Sequence, residues 1–227
     1  MDFAAFAQQH GLKFNNSALL AEALTHRSYL NEHPSALAHN ERLEFLGDAV
    51  LELAVTHFLF MKYPAKDEGA LTSYRAALVN TISLARTAES IGVGGALRLS
   101  KGEAKDTGRA RENILANAFE ALVGAIYMDQ GFEAAEQFIA NNLYSKIENV
   151  IAEKSYQDAK SRFQEAAQEK RSITPHYKTV AEEGPDHART FTVAVYLAEE
   201  EIASGSGMSK QDAEQAAAQN ALDKLDW

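Results

Sequence analysis

Apolar residues recur every three to four positions through most of residues 1–150, the period of helices that bury one face. Residues 12–24 form a short amphipathic stretch. Residues 40–62 read as a long helix that must end by Pro64, because proline disfavours helical geometry in the residue before it. Residues 68–91 read as a second, with Leu71, Leu78, Val79, Ile82 and Leu84 at its apolar positions, and the run Gly92-Val93-Gly94-Gly95 breaks it. The polar stretch 101–111 reads as a loop. The clearest helix spans 111–128. Its broad apolar face carries Ile114, Leu115, Ala118, Phe119, Leu122, Val123 and Ile126, and its other side carries Asn113, Asn117, Glu120 and Gly124. A last helix runs from 132 to about 150.

Beyond residues 151–157 the period changes. Residues 158–170 are helical, then Phe191, Val193, Val195 and Leu197 alternate along 190–197 as in a half-buried strand. Residues 177–181 and 201–204 are further strand candidates, and 209–225 read as an alanine-rich helix whose Ala213, Ala216, Ala217 and Ala221 suit close packing on a sheet. The pattern predicts an all-α N-terminal domain over 1–150, a linker over 151–157 and a small α+β domain of order α-β-β-β-α over 158–227.

With 227 residues the chain is long enough for two modest cores. It has no cysteine, which excludes disulfides, thiolate metal sites and a cysteine nucleophile. No apolar run is long enough to span a bilayer, and the N-terminus lacks a basic segment followed by an apolar core, so a cytoplasmic protein without a membrane partner is expected. The formal net charge is −10, spread evenly over both parts. Any polyanion must therefore be held by a few locally placed cations, weakly and with strong salt dependence.

The densest chemistry lies in residues 40–51, Asn-Glu-Arg-Leu-Glu-Phe-Leu-Gly-Asp-Ala-Val-Leu. Glu41, Glu44 and Asp48 fall at steps of three and four, which stacks their carboxylates on one helical face. Such like-charge pairs destabilise an isolated helix by a few tenths of a kcal/mol each, and Gly47 costs about 1 kcal/mol more relative to Ala. A segment that accepts both penalties beside Leu43, Phe45, Leu46, Ala49 and Val50 is organised around a site. The natural guest of clustered carboxylates is a hard divalent cation.

The run Glu41-Arg42-Leu43-Glu44-Phe45-Leu46-Gly47-Asp48-Ala49 resembles the signature of the ribonuclease III family. The resemblance extends to Thr25-His26-Arg27-Ser28, Glu68-Gly69, Arg75-Ala76-Ala77-Leu78-Val79 and Phe119-Glu120-Ala121. The C-terminal part resembles a double-stranded RNA-binding domain through Lys160-Ser161, Gln164-Glu165, Gln168, Gly184-Pro185-Asp186-His187, Gly205-Ser206-Gly207 and Ser209-Lys210. The resemblance implies an endonuclease domain followed by an RNA-binding domain. It implies an endoribonuclease that cuts double-stranded RNA as a homodimer, with Mg²⁺ as cofactor, Mn²⁺ able to substitute, and no nucleotide cofactor. The products would carry 5′-phosphates, 3′-hydroxyls and short 3′ overhangs, and ribosomal and other structured RNA precursors would be the substrates. By the same resemblance Glu44, Asp48, residue 117 and Glu120 hold the metal, Asp48 and Glu120 being catalytic. Glu41 and Glu68 match further acidic positions of the cleft. Phe45 is either core or, as the family implies, inserted into the partner subunit.

One position departs from the pattern: the family has aspartate where this chain has Asn117. An amide oxygen can ligate a cation but brings no charge. Two explanations are open. Asn117 is natural tolerance, with water or Glu68 compensating, or it is an introduced change that disables cleavage and leaves a double-stranded RNA-binding protein. In the C-terminal domain, Gln164, Glu165 and Gln168 on one helix and His187 in a turn match the family's minor-groove contacts, and Ser209 and Lys210 match a phosphate contact at a helix start. Gln211 replaces a second lysine there, which predicts weaker binding than in a typical member.

Overall fold

The computed structural model of the chain describes residues 3–33, 38–152, 158–185 and 189–227. Two units separate, Met1–Tyr156 and Gln157–Trp227. Of the expected linker, residues 151 and 152 close a helix and 153–157 lie outside the described residues.

The first unit is helical: α1 Phe3–Gln9, α2 Ser17–Ala23, α3 Arg27–Glu32, α4 Glu41–Lys62, α5 Glu68–Val79, α6 Thr81–Ser90, α7 Val93–Ala96, α8 Gly108–Gln130, α9 Phe132–Leu143 and α10 Ile147–Ala152. α4 ends before Pro64, where proline requires it. Two of the three long helices expected after it are not continuous. The stretch 68–91 breaks at Asn80, whose backbone is extended at φ −70°, ψ 159°. Its side chain replaces what the break removes: Oδ1 accepts the Ser83 N–H at 2.9 Å, and Nδ2 donates to the carbonyls of Ala77 at 3.0 Å and Ala76 at 3.3 Å. One asparagine thus caps α5 and α6 together. The expected helix 132–150 likewise gives way to a 3₁₀ turn at Tyr144–Lys146 before α10. The start of α8 lies three residues earlier than expected, at Gly108, and Gly131, at φ +84°, ends it.

The core forms where α4 lies against α8. Leu51, Ala54, Val55 and Leu59 of α4 and Phe119, Leu122, Val123 and Ile126 of α8 are all buried. Two glycines set the closeness of the pair. A Cβ on Gly47 would overlap the Glu120 carbonyl oxygen and lie 2.8 Å from Gly124 N, and a Cβ on Gly124 would overlap the Leu43 carbonyl oxygen. No helix among the described residues is long and apolar enough to cross a membrane.

The second unit runs α11 Ala159–Arg171, β1 His176–Glu183, β2 Thr190–Leu197, β3 Glu200–Gly207, α12 Lys210–Leu225. The strands form an antiparallel sheet in the order β1-β2-β3, with Tyr177 opposite Val195 and Val193 opposite Gly205. β2 has the bounds its alternation predicts, with Val193, Val195 and Leu197 buried. β1 and β3 are longer than expected. α12 rests on the sheet through small residues: Ala213, Ala217 and Ala221 are fully buried, and a Cβ on Gly205 would strike the backbone of Ala216 and Ala217.

Asp158 caps α11. Its Oδ1 accepts the Ser161 N–H at 2.9 Å and the Gln215 amide at 3.0 Å, the second bond tying α11 to α12. Burial pushes its carboxyl pKa up, but hydrogen bonds from Ser161, Gln215 and Lys160 outweigh that and hold it below the ordinary 3.8. Asp158→Ala should therefore lower the stability of this unit by about 1 kcal/mol at neutral pH. A lowered folded-state pKa gives stability that is present above 3.8 and lost as pH falls through the folded value. Urea titrations of both proteins should diverge at pH 7 and converge in acid, and equal midpoints at pH 7 would refute the capping role.

Candidate active site and nucleic-acid interface

Glu44 and Asp48 stand on α4, Asn117 and Glu120 on α8, and the Gly47–Gly124 contact brings the two stripes face to face. Their electrostatics show the convergence. The Glu120 carboxyl is half-buried and its pKa is pushed up to about 7, first by burial, then by the charges of Asp48, Glu44 and Glu52. The Glu44 carboxyl is raised by burial and by Glu41 and Asp48, and a hydrogen bond from the Asn117 amide draws it partly back. Asn117 therefore faces the cluster, donating to Glu44, and does not simply point to solvent.

Spacing could have flagged Glu52, which the sequence reading missed. It is four residues after Asp48 on the same stripe, and it reaches Glu120 electrostatically. Arg75 Nε of α5 pairs with it at 2.9 Å and Arg75 Nη1 donates to Thr56 at 2.9 Å, which docks α5 on α4.

Glu41 sits at the edge of the cluster, 3.2 Å from Arg27 and 3.7 Å from His39. Glu68 does not join it. It lies exposed at the start of α5, accepting from the Thr72 hydroxyl at 3.3 Å, and it lines a groove with Thr56, Leu59, Phe60 and Arg75. Phe45 is not core: it is 83 % exposed, on the helix that also exposes Leu53, Phe60 and Met61. Thr25-His26-Arg27-Ser28 fastens three segments near the start of α4. Thr25 O accepts the Asn40 N–H at 2.9 Å, His26 N donates to Arg98 O at 3.0 Å, and the Ser28 hydroxyl accepts the Ser100 N–H at 3.0 Å.

Chemically, Glu44, Asp48 and Glu120 with the Asn117 amide form an all-oxygen donor set, the kind a hard divalent cation takes. Among the described residues no three His, Asp or Glu side chains already stand close enough to form a closed metal shell. Burial first, and the neighbouring carboxylates second, raise the Glu120 and Glu44 pKa values; a cation would relieve part of that cost, so the residues fit the group.

In the second unit Gln164, Glu165 and Gln168 are exposed on one side of α11, opposite buried Phe163 and Ala167. Ser209 Oγ accepts the Asp212 N–H at 3.1 Å and so caps α12. Lys210, exposed beside it, is 3.1 Å from Glu182 and 5.6 Å from the Phe191 ring. His187 lies outside the described residues.

Comparison with known proteins follows the same division. Residues 16–147 match the family described as Ribonuclease-III-like, and residues 159–225 match the double-stranded RNA binding motif. Ribonuclease 3 of Bdellovibrio bacteriovorus is 45% identical over 214 residues, covering 94% of this chain and 92% of that one. Ribonuclease 3 of Anoxybacillus flavithermus is 46% identical over 224 residues, covering 98% and 94%. Among solved structures, the ribonuclease III nuclease domain of Campylobacter jejuni, described for flexibility in a region involved in dimer formation, superimposes with a TM-score of 0.56 at 39% identity. That match covers 62% of this chain and 98% of that one.

Proposed function

Because this chain belongs to the ribonuclease III family, we propose that it cuts RNA duplexes as a Mg²⁺-dependent homodimer, leaving 5′-phosphate and 3′-hydroxyl ends with short 3′ overhangs. It is an endoribonuclease of the ribonuclease III type that acts on double-stranded RNA. The observation that carries the rest is the convergence of Glu44, Asp48, Asn117 and Glu120 across α4 and α8, with Glu120 pushed up to about 7 by burial and then by its acidic neighbours.

These four residues would hold the cation, which when bound supplies charge neutralisation at the scissile phosphate and an activated water. Asp48, exposed on α4, faces solvent where substrate arrives. Glu120, half-buried, would offer its carboxylate to the cation from the α8 side. Asn117 holds Glu44 by its hydrogen bond. Phe45 would enter a partner subunit, since a ring 83 % exposed is costly in water and α4 exposes Leu53, Phe60 and Met61 as well. Glu41 and Glu68 are secondary acidic positions of the cleft. Gln164, Glu165, Gln168 and His187 would contact the minor groove, and Ser209 and Lys210 a phosphate. Processing of ribosomal and other structured RNA precursors is the role this activity fits.

A specific observation supports a second reading. Asn117 leaves three carboxylates where the family has four, which favours a double-stranded RNA-binding protein with impaired cleavage. Incubation of the purified chain with a long RNA duplex and Mg²⁺ or Mn²⁺ separates the two. Cleavage supports the enzyme; a duplex retarded in a gel yet intact with both metals supports the binder. Asn117→Asp should raise the cleavage rate by about tenfold or more at limiting Mg²⁺, because it adds a charged ligand. No gain at any Mg²⁺ concentration would remove residue 117 from the metal site.

A further inference from the structure

Away from the carboxylate cluster, a pocket of about 570 Å³ opens where the start of α6 meets the 3₁₀ turn before α10. It is lined by Ala77, Asn80, Ile82, Ser83, Arg86, Lys146, Asn149 and Val150, without a carboxylate. It brings two cations together in a chain of 32 acidic and 22 basic residues. Several other cations pair with acids: Lys62 with Glu148, Arg75 with Glu52, Lys160 with Glu214 and Arg171 with Glu200. Arg86 makes no ion pair among the described residues, and its charge acts on another cation, Lys146.

Lys146 is fixed in place. Its Nζ donates to the hydroxyl of fully buried Thr87, and that hydroxyl donates to the Ser83 carbonyl at 2.7 Å. The ammonium has three donors, so two remain for the pocket. Burial and the Arg86 charge lower its pKa, which marks a repulsion that a bound anion would relieve. The Ser83 hydroxyl and the exposed Asn149 amide add neutral donors, and Ala77, Ile82 and Val150 give an aliphatic side.

We propose that this pocket binds the phosphate of a nucleotide unit, held between the Arg86 guanidinium and the Lys146 ammonium, with its sugar against Ala77, Ile82 and Val150. A planar guanidinium fork beside a point-like ammonium suits a phosphate oxyanion, and the volume exceeds that of a bare ion and accommodates an attached ribose. The same chemistry recognises a backbone phosphate of duplex RNA, bound away from the cleavage site, or a free phosphate ester.

The test uses the ¹⁵N-labelled full chain without divalent metal, titrated with inorganic phosphate and separately with adenosine 5′-monophosphate. Saturable shifts confined to residues 82–86 and 146–150 are expected, with the monophosphate binding more tightly than phosphate. Arg86→Gln, an exposed substitution that leaves the fold intact, should weaken the titration about tenfold, and Lys146→Gln should do the same. The second arm measures duplex affinity against salt. A slope reduced by about one in either variant identifies a backbone phosphate as the natural occupant, and an unchanged slope identifies a free phosphate ester. The inference is overturned if neither probe shifts these residues, or if both variants titrate as the wild type does.

Discussion

Glu120→Gln is expected to slow duplex cleavage by about a thousandfold or more while making the metal-free protein more stable. Both effects have one source. The Glu120 carboxyl is half-buried on α8 near the charges of Asp48, Glu44 and Glu52, and its pKa rises from 4.5 to about 7, first through burial. A raised folded-state pKa means stability that is intact below 4.5 and lost as pH climbs through 7. At pH 8 the fold carries the whole penalty of an anion its surroundings oppose. The shift corresponds to roughly 3 kcal/mol, and partial exposure screens it to about 1–2 kcal/mol. Glutamine keeps the shape and removes the charge, so the melting temperature at pH 8 should rise by roughly 2–8 °C, with no gain below pH 4.5. The same charge is what a divalent cation requires, so Mg²⁺ should stabilise the wild type and leave the variant nearly unmoved. Scanning calorimetry with and without Mg²⁺, beside a duplex cleavage assay, checks all three effects. Cleavage within about tenfold of wild type would remove Glu120 from the reacting centre.

Local chemistry made much of this architecture legible. Pro64 ended α4, alternation from Thr190 to Leu197 bounded β2, and the three- and four-residue steps of Glu41, Glu44 and Asp48 marked the site's first stripe. What escaped was whatever depends on a backbone dihedral or on a neighbouring element. Asn80 interrupts an apolar period that continues on both sides of it, with neither proline nor glycine as a signal, because its side chain satisfies the groups the break frees. Phe45 could not be assigned from spacing, since a buried ring and a ring reserved for a partner occupy the same helical positions. Glu68 resembles an acidic position of the family's cleft, yet here it stands apart from the cluster on α5. Glu52 was legible in principle, but its carboxylate matters only because α8 comes close. That approach depends on two glycines, and on α4 alone Gly47 looked like a plain penalty to helix stability.

Gly47→Ala should therefore be the most damaging single-methyl change in the first unit. Judged by helix propensity, alanine would stabilise α4 by about 1 kcal/mol. The packing predicts the opposite sign. The added Cβ would overlap the Glu120 carbonyl and lie 2.6 Å from the Glu120 carbonyl carbon, and these are backbone atoms of a 23-residue helix that no rotamer change can move aside. α4 and α8 must separate or shift in register, with a loss of about 3 kcal/mol or more. The core between Leu51, Val55, Phe119 and Leu122 opens with them. Cleavage should fall further than stability, because the same displacement carries Asp48 away from Glu120 in molecules that remain folded. Gly124→Ala should behave alike, since its Cβ would strike Leu43 O from the other side. Gly95→Ala is the control: a Cβ there meets nothing within 4 Å, and its effect should stay within about 0.5 kcal/mol. Calorimetry should show a lowered transition for the first unit only, with duplex binding by the second unit retained. If Gly47→Ala melts and cleaves as Gly95→Ala does, close approach of α4 and α8 is not what assembles this site.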